Sequence, residues 1–113
     1  MHALRLKKNQ EFRKVYQQGK SIANRNLVMI YKKNQEMDTR IGITVSKKVG
    51  KSVVRNRVKR RIKESLRELD QLIPKGYDMV WIARVSCQKA DYETLRKAVK
   101  HLLQKAFPSF NTR

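Results

Sequence analysis

The sequence predicts an α+β fold: a single domain spanning residues 1–113, with elements in the order α-β-β-α-β-α and a small central sheet backed by helices. Apolar residues recur at helical spacing from Val54 to Ile73 and again from Leu95 to Ala106. β-rich runs stand at Leu27–Tyr31, Arg40–Ser46 and Tyr77–Arg84, the second in strict alternation. A chain of 113 residues, 40% apolar, supports one core and buries about 65% of its unfolded surface.

Residues 9–19, NQEFRKVYQQG, read as the first helix, with Asn9 as cap, Glu11 in the first turn and Gly19 at C′. Phe12, Val15 and Tyr16 share one side. A helix of about three turns is not stable alone, so that side must pack on something. From the residues themselves, Phe12 and Tyr16 are equally core residues or a stacking platform. The runs Leu27–Tyr31 and Arg40–Ser46 flank the turn-like KNQEMD and predict a hairpin. In the second run Ile41, Ile43 and Val45 share one face, and Arg40, Gly42, Thr44 and Ser46 the other. That small polar face suits a ligand as well as water, and Gly42 permits either close approach or a bulge.

Gly50 and Ser52 interrupt the strand pattern, and Ser52 is the expected N-cap of the central helix. Val54, Val58, Ile62, Leu66, Leu69 and Ile73 form its apolar stripe, with Asn56, Arg60, Lys63 and Arg67 opposite. Arg57 and Arg61 lie near Glu64 and Glu68 at spacings that predict partial neutralisation. Arg55 points towards the apolar arc, its stem along the core edge and its guanidinium free. Ile73-Pro74-Lys75-Gly76 is a stop signal, Trp81 in the third strand is expected in the core, and the last helix runs from near Asp91 to Pro108. The basic helix, lying between the second and third strands in sequence, is expected to border a cleft.

Charge narrows the function. Lys and Arg total 28 against nine acids, a formal charge of +19. Ten of those cations lie between Lys47 and Arg67, where Glu64 is the one acid. Such a field implies a polyanionic partner, nucleic acid before an anionic membrane. The longest apolar runs, LVMIY and MVWIA, have five residues each, too short to span a bilayer. Cys87 is the only cysteine, so no intrachain disulfide forms, and with His2 and His101 it gives no zinc-ligand spacing. MHALRLKKNQ lacks the apolar segment of a secretory signal, and the cytoplasm is the expected location. VGKS lacks the first glycine of a P-loop, since Val45 stands there. The acids are scattered, and no catalytic residues and no metal ligands emerge. From these residues an RNA- or DNA-binding module follows, with RNA favoured because a cleft with nearby aromatics suits single strands.

Five segments then carry a resemblance: Phe12-Arg-Lys-Val-Tyr16, Ser21-Ile-Ala-Asn-Arg25, Arg40-Ile-Gly-Ile-Thr-Val-Ser-Lys-Lys-Val-Gly50, Val54-Arg-Asn-Arg-Val-Lys-Arg-Arg61 and Ile82-Ala-Arg84. In this order the chain resembles the protein subunit of bacterial ribonuclease P over nearly its whole length. The resemblance implies a protein cofactor of a ribonucleoprotein endonuclease that removes the 5′ leader from precursor tRNA. In such an enzyme the RNA subunit carries the chemistry and binds Mg2+, while the protein binds that RNA and the single-stranded leader. It also implies a left-handed β-α-β crossover, as in the second domain of a small-subunit ribosomal protein, against the usual right-handed preference. Arg55, Asn56, Arg57, Lys59, Arg60 and Arg61 match the RNA-contacting motif, with Lys47, Lys48, Lys63 and Arg67 extending the basic surface. Phe12 and Tyr16 match leader-cleft aromatics, beside Thr44 and Ser46. The chain departs from the family where Ile30 replaces an aromatic and Tyr31 follows. Alternation puts Tyr31 on the opposite face unless a bulge shifts the register. Two rivals predict different chemistry: a ribosomal or nucleoid structural protein binds without affecting processing, and a self-sufficient nuclease cleaves RNA alone.

Overall fold

The computed structural model describes residues 3–111, so His2, Thr112 and Arg113 lie outside it. The elements run β1 (Leu4–Arg5), α1 (Asn9–Gln18), β2 (Lys20–Ala23), β3 (Leu27–Lys33), β4 (Arg40–Val45), α2 (Ser52–Glu68), β5 (Tyr77–Ala83) and α3 (Tyr92–Ala106). Short 3-10 turns at Asp70–Leu72 and Val85–Lys89 precede β5 and α3. The strands form one mixed sheet in the order β1-β4-β5-β3-β2.

Two edge strands, β1 and β2, add to the predicted order, and the predicted hairpin is absent. β3 and β4 do not pair. β5 lies between them, antiparallel to β3 and parallel to β4. Periodicity identifies a strand but not its neighbour, and here the cue lay in burial. Met79, Val80 and Trp81 are all closed to solvent, the pattern of a strand covered on both faces. The actual hairpin joins β2 to β3. At its turn the Asn24 Oδ1 accepts the amides of Asn26 at 3.1 Å and Leu27 at 2.9 Å.

The larger core lies on one face. Leu27 and Met29 of β3 and Met79, Trp81 and Ala83 of β5 pack against Val58, Ile62, Leu66 and Leu69 of α2 or its end and Leu95, Val99, Leu102 and Leu103 of α3. Trp81 is a core residue, as expected. Tyr31 also belongs here, edge-on to Phe107 with centroids 5.1 Å apart. The β3–β5 register is continuous through Ile30 and Tyr31, so no bulge returns Tyr31 to the other side. On the opposite face, Leu6, Val15 of α1 and Val80 form a smaller core, with Phe12, Ile30 and Ile82 packed against it.

Three predicted caps shift. Ser52 opens α2 and Lys51 is its N-cap, with no side-chain hydrogen bond to the first turn. Asn9 similarly opens α1, and the Glu11 carboxylate accepts the amides of Lys7 and Lys8, each at 3.1 Å. Gly19 is the C-cap of α1 in an extended conformation; space requires it, because a Cβ there would stand 2.6 Å from the Val15 carbonyl oxygen. Asp91 caps α3 through the Thr94 amide at 2.8 Å.

Candidate nucleic-acid interface

α2 owes its orientation to the apolar stripe, which the sheet and α3 hold. Its cations are thereby sorted into three groups. Lys59, Arg60, Lys63 and Arg67 are exposed with the neutral Asn56 beside them, as are Lys47 and Lys48 on the approach. Arg57 and Arg61 are half-buried and serve the fold: their guanidiniums donate to the carbonyls of Gln88 at 3.2 Å and Ala90 at 2.7 Å. The expected neutralisation by Glu64 and Glu68 is replaced by these bonds. Glu68 instead pairs with Arg96 of α3 at 2.8 Å and accepts the Tyr92 hydroxyl. These two partners hold its carboxyl below the usual range, Tyr92 contributing most. The neighbouring helix supplied better donors than the same helix did. Arg55 is half-buried along the core edge as expected, but its Nε is covered and has no hydrogen-bond partner among the described residues.

The other face of the sheet carries the aromatics. Alternation along β4 places Arg40, Gly42 and Thr44 towards α1. The Phe12 ring lies directly on Gly42: a Cβ at that position would fall 2.4 Å from two ring carbons. Phe12 is therefore half-buried and shares the small core, whereas Tyr16, one turn on, is 45% exposed. Thr44 is half-buried and Ser46 exposed. The pair of aromatics that the sequence treats alike is thus split by packing.

A clamp that sequence reasoning missed fixes α1 to this face. Arg40 donates through Nε to one Asp78 oxygen at 2.9 Å and through Nη2 to the other at 2.7 Å. Its Nη1 pairs with Glu11 in the first turn of α1. Burial raises the Asp78 pKa, but the bonds from Arg40 and Asn34, with the charge of Arg40, outweigh it and hold the carboxyl below its ordinary value. Backbone bonds from Lys8 and Lys7 lower that of Glu11, helped by Arg40. The sequence alone carried no signal for it, because Arg40 and Asp78 face each other only once β4 and β5 are adjacent.

On the flank of α2 away from α3, Lys59, Lys63 and Arg67 form one side of a groove of about 700 Å³ that also reaches β1, β4 and Phe12. Among the described residues no three His, Cys, Asp or Glu side chains gather as a metal-binding group. Cys87 is buried, as expected, and burial pushes its thiol pKa up. No described helix is long and apolar enough to cross a membrane.

The family pattern described as Ribonuclease P matches residues 1–107. The chain belongs to the ribonuclease P protein family. A ribonuclease P protein component from Clostridium botulinum is 54% identical over 103 residues, covering 90% of this chain and 93% of the relative. One from Caldanaerobacter subterraneus is 50% identical over 101 residues, 89% of this chain and 87% of the relative. The solved RNase P protein of Staphylococcus aureus superposes with a TM-score of 0.85 at 35% identity, over 93% and 96% of the two chains. That of Thermotoga maritima gives 0.82 at 34%, over 89% and 96%. The α+β architecture of this chain is thus that of ribonuclease P proteins, and the five segments that carry the resemblance fall in or beside α1, β2, β4, α2 and β5.

Proposed function

We propose that this chain is the cytoplasmic protein cofactor in removal of the 5′ leader from precursor tRNA, binding the ribonuclease P RNA subunit through α2 and the single-stranded leader beside α1. The whole chain acts as one RNA-binding domain. The observation that carries the reading is the exposed row Asn56, Lys59, Arg60, Lys63 and Arg67 on a helix fixed by its core stripe. Lys47 and Lys48 extend the row, and the uncapped first-turn amides of α2 add partial positive charge at the same end. Each phosphate bound there releases counterions, and two RNAs that repel one another are brought together. Arg57 and Arg61 also tie α2 to the segment before α3, and with Arg55 they complete the motif that the resemblance assigns to RNA contact.

Tyr16 provides an open ring for an unpaired base, Phe12 presents a ring edge, and Thr44 and Ser46 offer hydroxyls beside them. Stacking on such rings contributes about 1–3 kcal/mol per base with little sequence preference. The phosphodiester chemistry belongs to the RNA subunit and the Mg2+ that it binds. The protein raises affinity for leader and metal by lowering repulsion.

The test is cleavage of precursor tRNA at low magnesium by a bacterial ribonuclease P RNA, with and without the chain, beside a protein-only control. Stimulated 5′ cleavage that requires the RNA is expected. Cleavage by the protein alone would make it a nuclease, and binding without stimulation would make it a structural RNA-binding protein.

A further inference from the structure

The groove on the open flank of α2 combines two chemistries. Its floor and far wall are apolar: Leu66 from α2, Ile41 and Ile43 from β4, and Leu4 from β1. Leu4 is 52% exposed, an apolar side chain left open at the rim. The remaining rim is cationic, with Lys59, Lys63 and Arg67 on one side and Arg5 and Lys7 on the other, against the single carboxylate of Asp70. β1 pairs with β4 only at Arg40 and Ile41, so beyond that point no described strand covers this edge of β4. Backbone polar groups near Ile43 therefore face the groove.

An apolar slot with polar edge groups and five cations around it fits an aromatic heterocycle carrying phosphates. Its volume, about 700 Å³, lies within the range of sites that enclose small organic groups. A base held in a duplex cannot enter such a slot, because both its faces are stacked. We infer that the groove takes one unpaired nucleotide of the RNA subunit, base against Leu4, Ile43 and Leu66 and flanking phosphates on Lys59 and Lys63. The RNA subunit is the source because the groove continues the exposed basic row of α2 through Lys59, Lys63 and Arg67, whereas Phe12 is the one α1 residue that reaches it and Tyr16 does not line it. This inference rests on the proposed binding of that RNA by α2. It changes the character of the contact from a flat electrostatic face to a socket that selects an extruded base.

The test uses the full chain with isotope-labelled isoleucine and leucine methyl groups, titrated with a uridine tetranucleotide and separately with a blunt RNA duplex at equal phosphate concentration. Ring-current shifts at the Ile41, Ile43 and Leu66 methyls are expected with the single strand only. They should be lost in Leu4→Glu, a surface change the fold tolerates, and in Lys63→Glu. Equal shifts with the duplex, or methyls unmoved by either, overturn the inference. Leu4→Glu should also weaken assembly with ribonuclease P RNA by about tenfold, as an apolar contact with the base is lost and an anion is added to the rim. Its effect on precursor binding should not depend on leader length; a loss that grows with the leader would assign the groove to the leader and refute the stated source. If the methyls shift while the wild-type chain fails to stimulate precursor cleavage, the socket stands and the cofactor reading falls.

Discussion

Replacing Gly42 by alanine tests whether the Phe12 ring contributes to leader binding, without touching any charge. The new Cβ would lie 2.4 Å from the ring, whereas ordinary contact begins at 3.4 Å, so the ring must retreat by about 1 Å. The obstacle is the far end of a side chain, so rotation of Phe12 is easier than displacement of the strand. α1 itself is held by the Arg40 clamp to Glu11, only one residue from Phe12, which favours loss of the ring's position over movement of the helix. Overpacking of this kind costs about 1–3 kcal/mol, partly offset by the 0.5–1 kcal/mol, roughly, that alanine gains over glycine in a strand. A net loss of about 1–2 kcal/mol in urea unfolding is expected. If the ring stacks on a leader base, holoenzyme affinity for precursor tRNA should fall a further 5- to 150-fold, roughly, relative to mature tRNA. Phe12→Ala should reproduce that ratio. Unchanged discrimination between precursor and mature tRNA, despite the expected loss of stability, would refute the stacking role and leave Phe12 a core residue.

The Arg40 clamp predicts a pH dependence. Asp78 and Glu11 have folded pKa values below their unfolded ones, so their contribution is complete above the unfolded values and is lost as pH falls through the lowered folded values. Asp78→Asn should destabilise the protein by roughly 1.5–3 kcal/mol at neutral pH, because Arg40 loses its main charged partner while keeping Glu11. The variant should also show a shallower loss of stability below about pH 4, where ordinary aspartates protonate, when urea midpoints are compared across pH. Arg60→Ala and Arg61→Ala should part company. Arg60 is exposed, so its removal should lower the log-log salt slope of RNA binding by about 1 with stability unchanged, whereas Arg61→Ala should cost about 1–2 kcal/mol of stability through its bond to Ala90. Equal salt slopes and equal stabilities for the two would refute the sorting of α2's cations.

What the sequence made legible was whatever a single element encodes about itself. Val58, Ile62 and Leu66 announce α2, the run from Leu95 to Leu103 announces α3, and alternation along β4 assigns Gly42 and Thr44 to one face and Ile41 and Ile43 to the other. Tyr31 was likewise placed correctly by counting residues. Partnership was less legible. The placement of β5 between β3 and β4 depends on a contact made only after the α2 crossover, and β1, with two residues, is too short to carry a period. At the interface the same limit applies. All of α2's cations were visible, but which ones would be recruited by the carbonyls of Gln88 and Ala90 depended on the turn before α3, and the clamp from Arg40 depended on strand order.

The central position of β5 has a consequence for how the chain comes off the ribosome. β3 and β4 are complete by Val45, yet the strand that joins them ends at Ala83. During the synthesis of those intervening residues the nascent chain holds two strands whose facing edges await the same missing partner. Open strand edges recruit one another between molecules. The intervening segment, however, is α2, the most cationic stretch of the chain, and it emerges before β5 does. Positive charge on that segment opposes the approach of two such incomplete sheets.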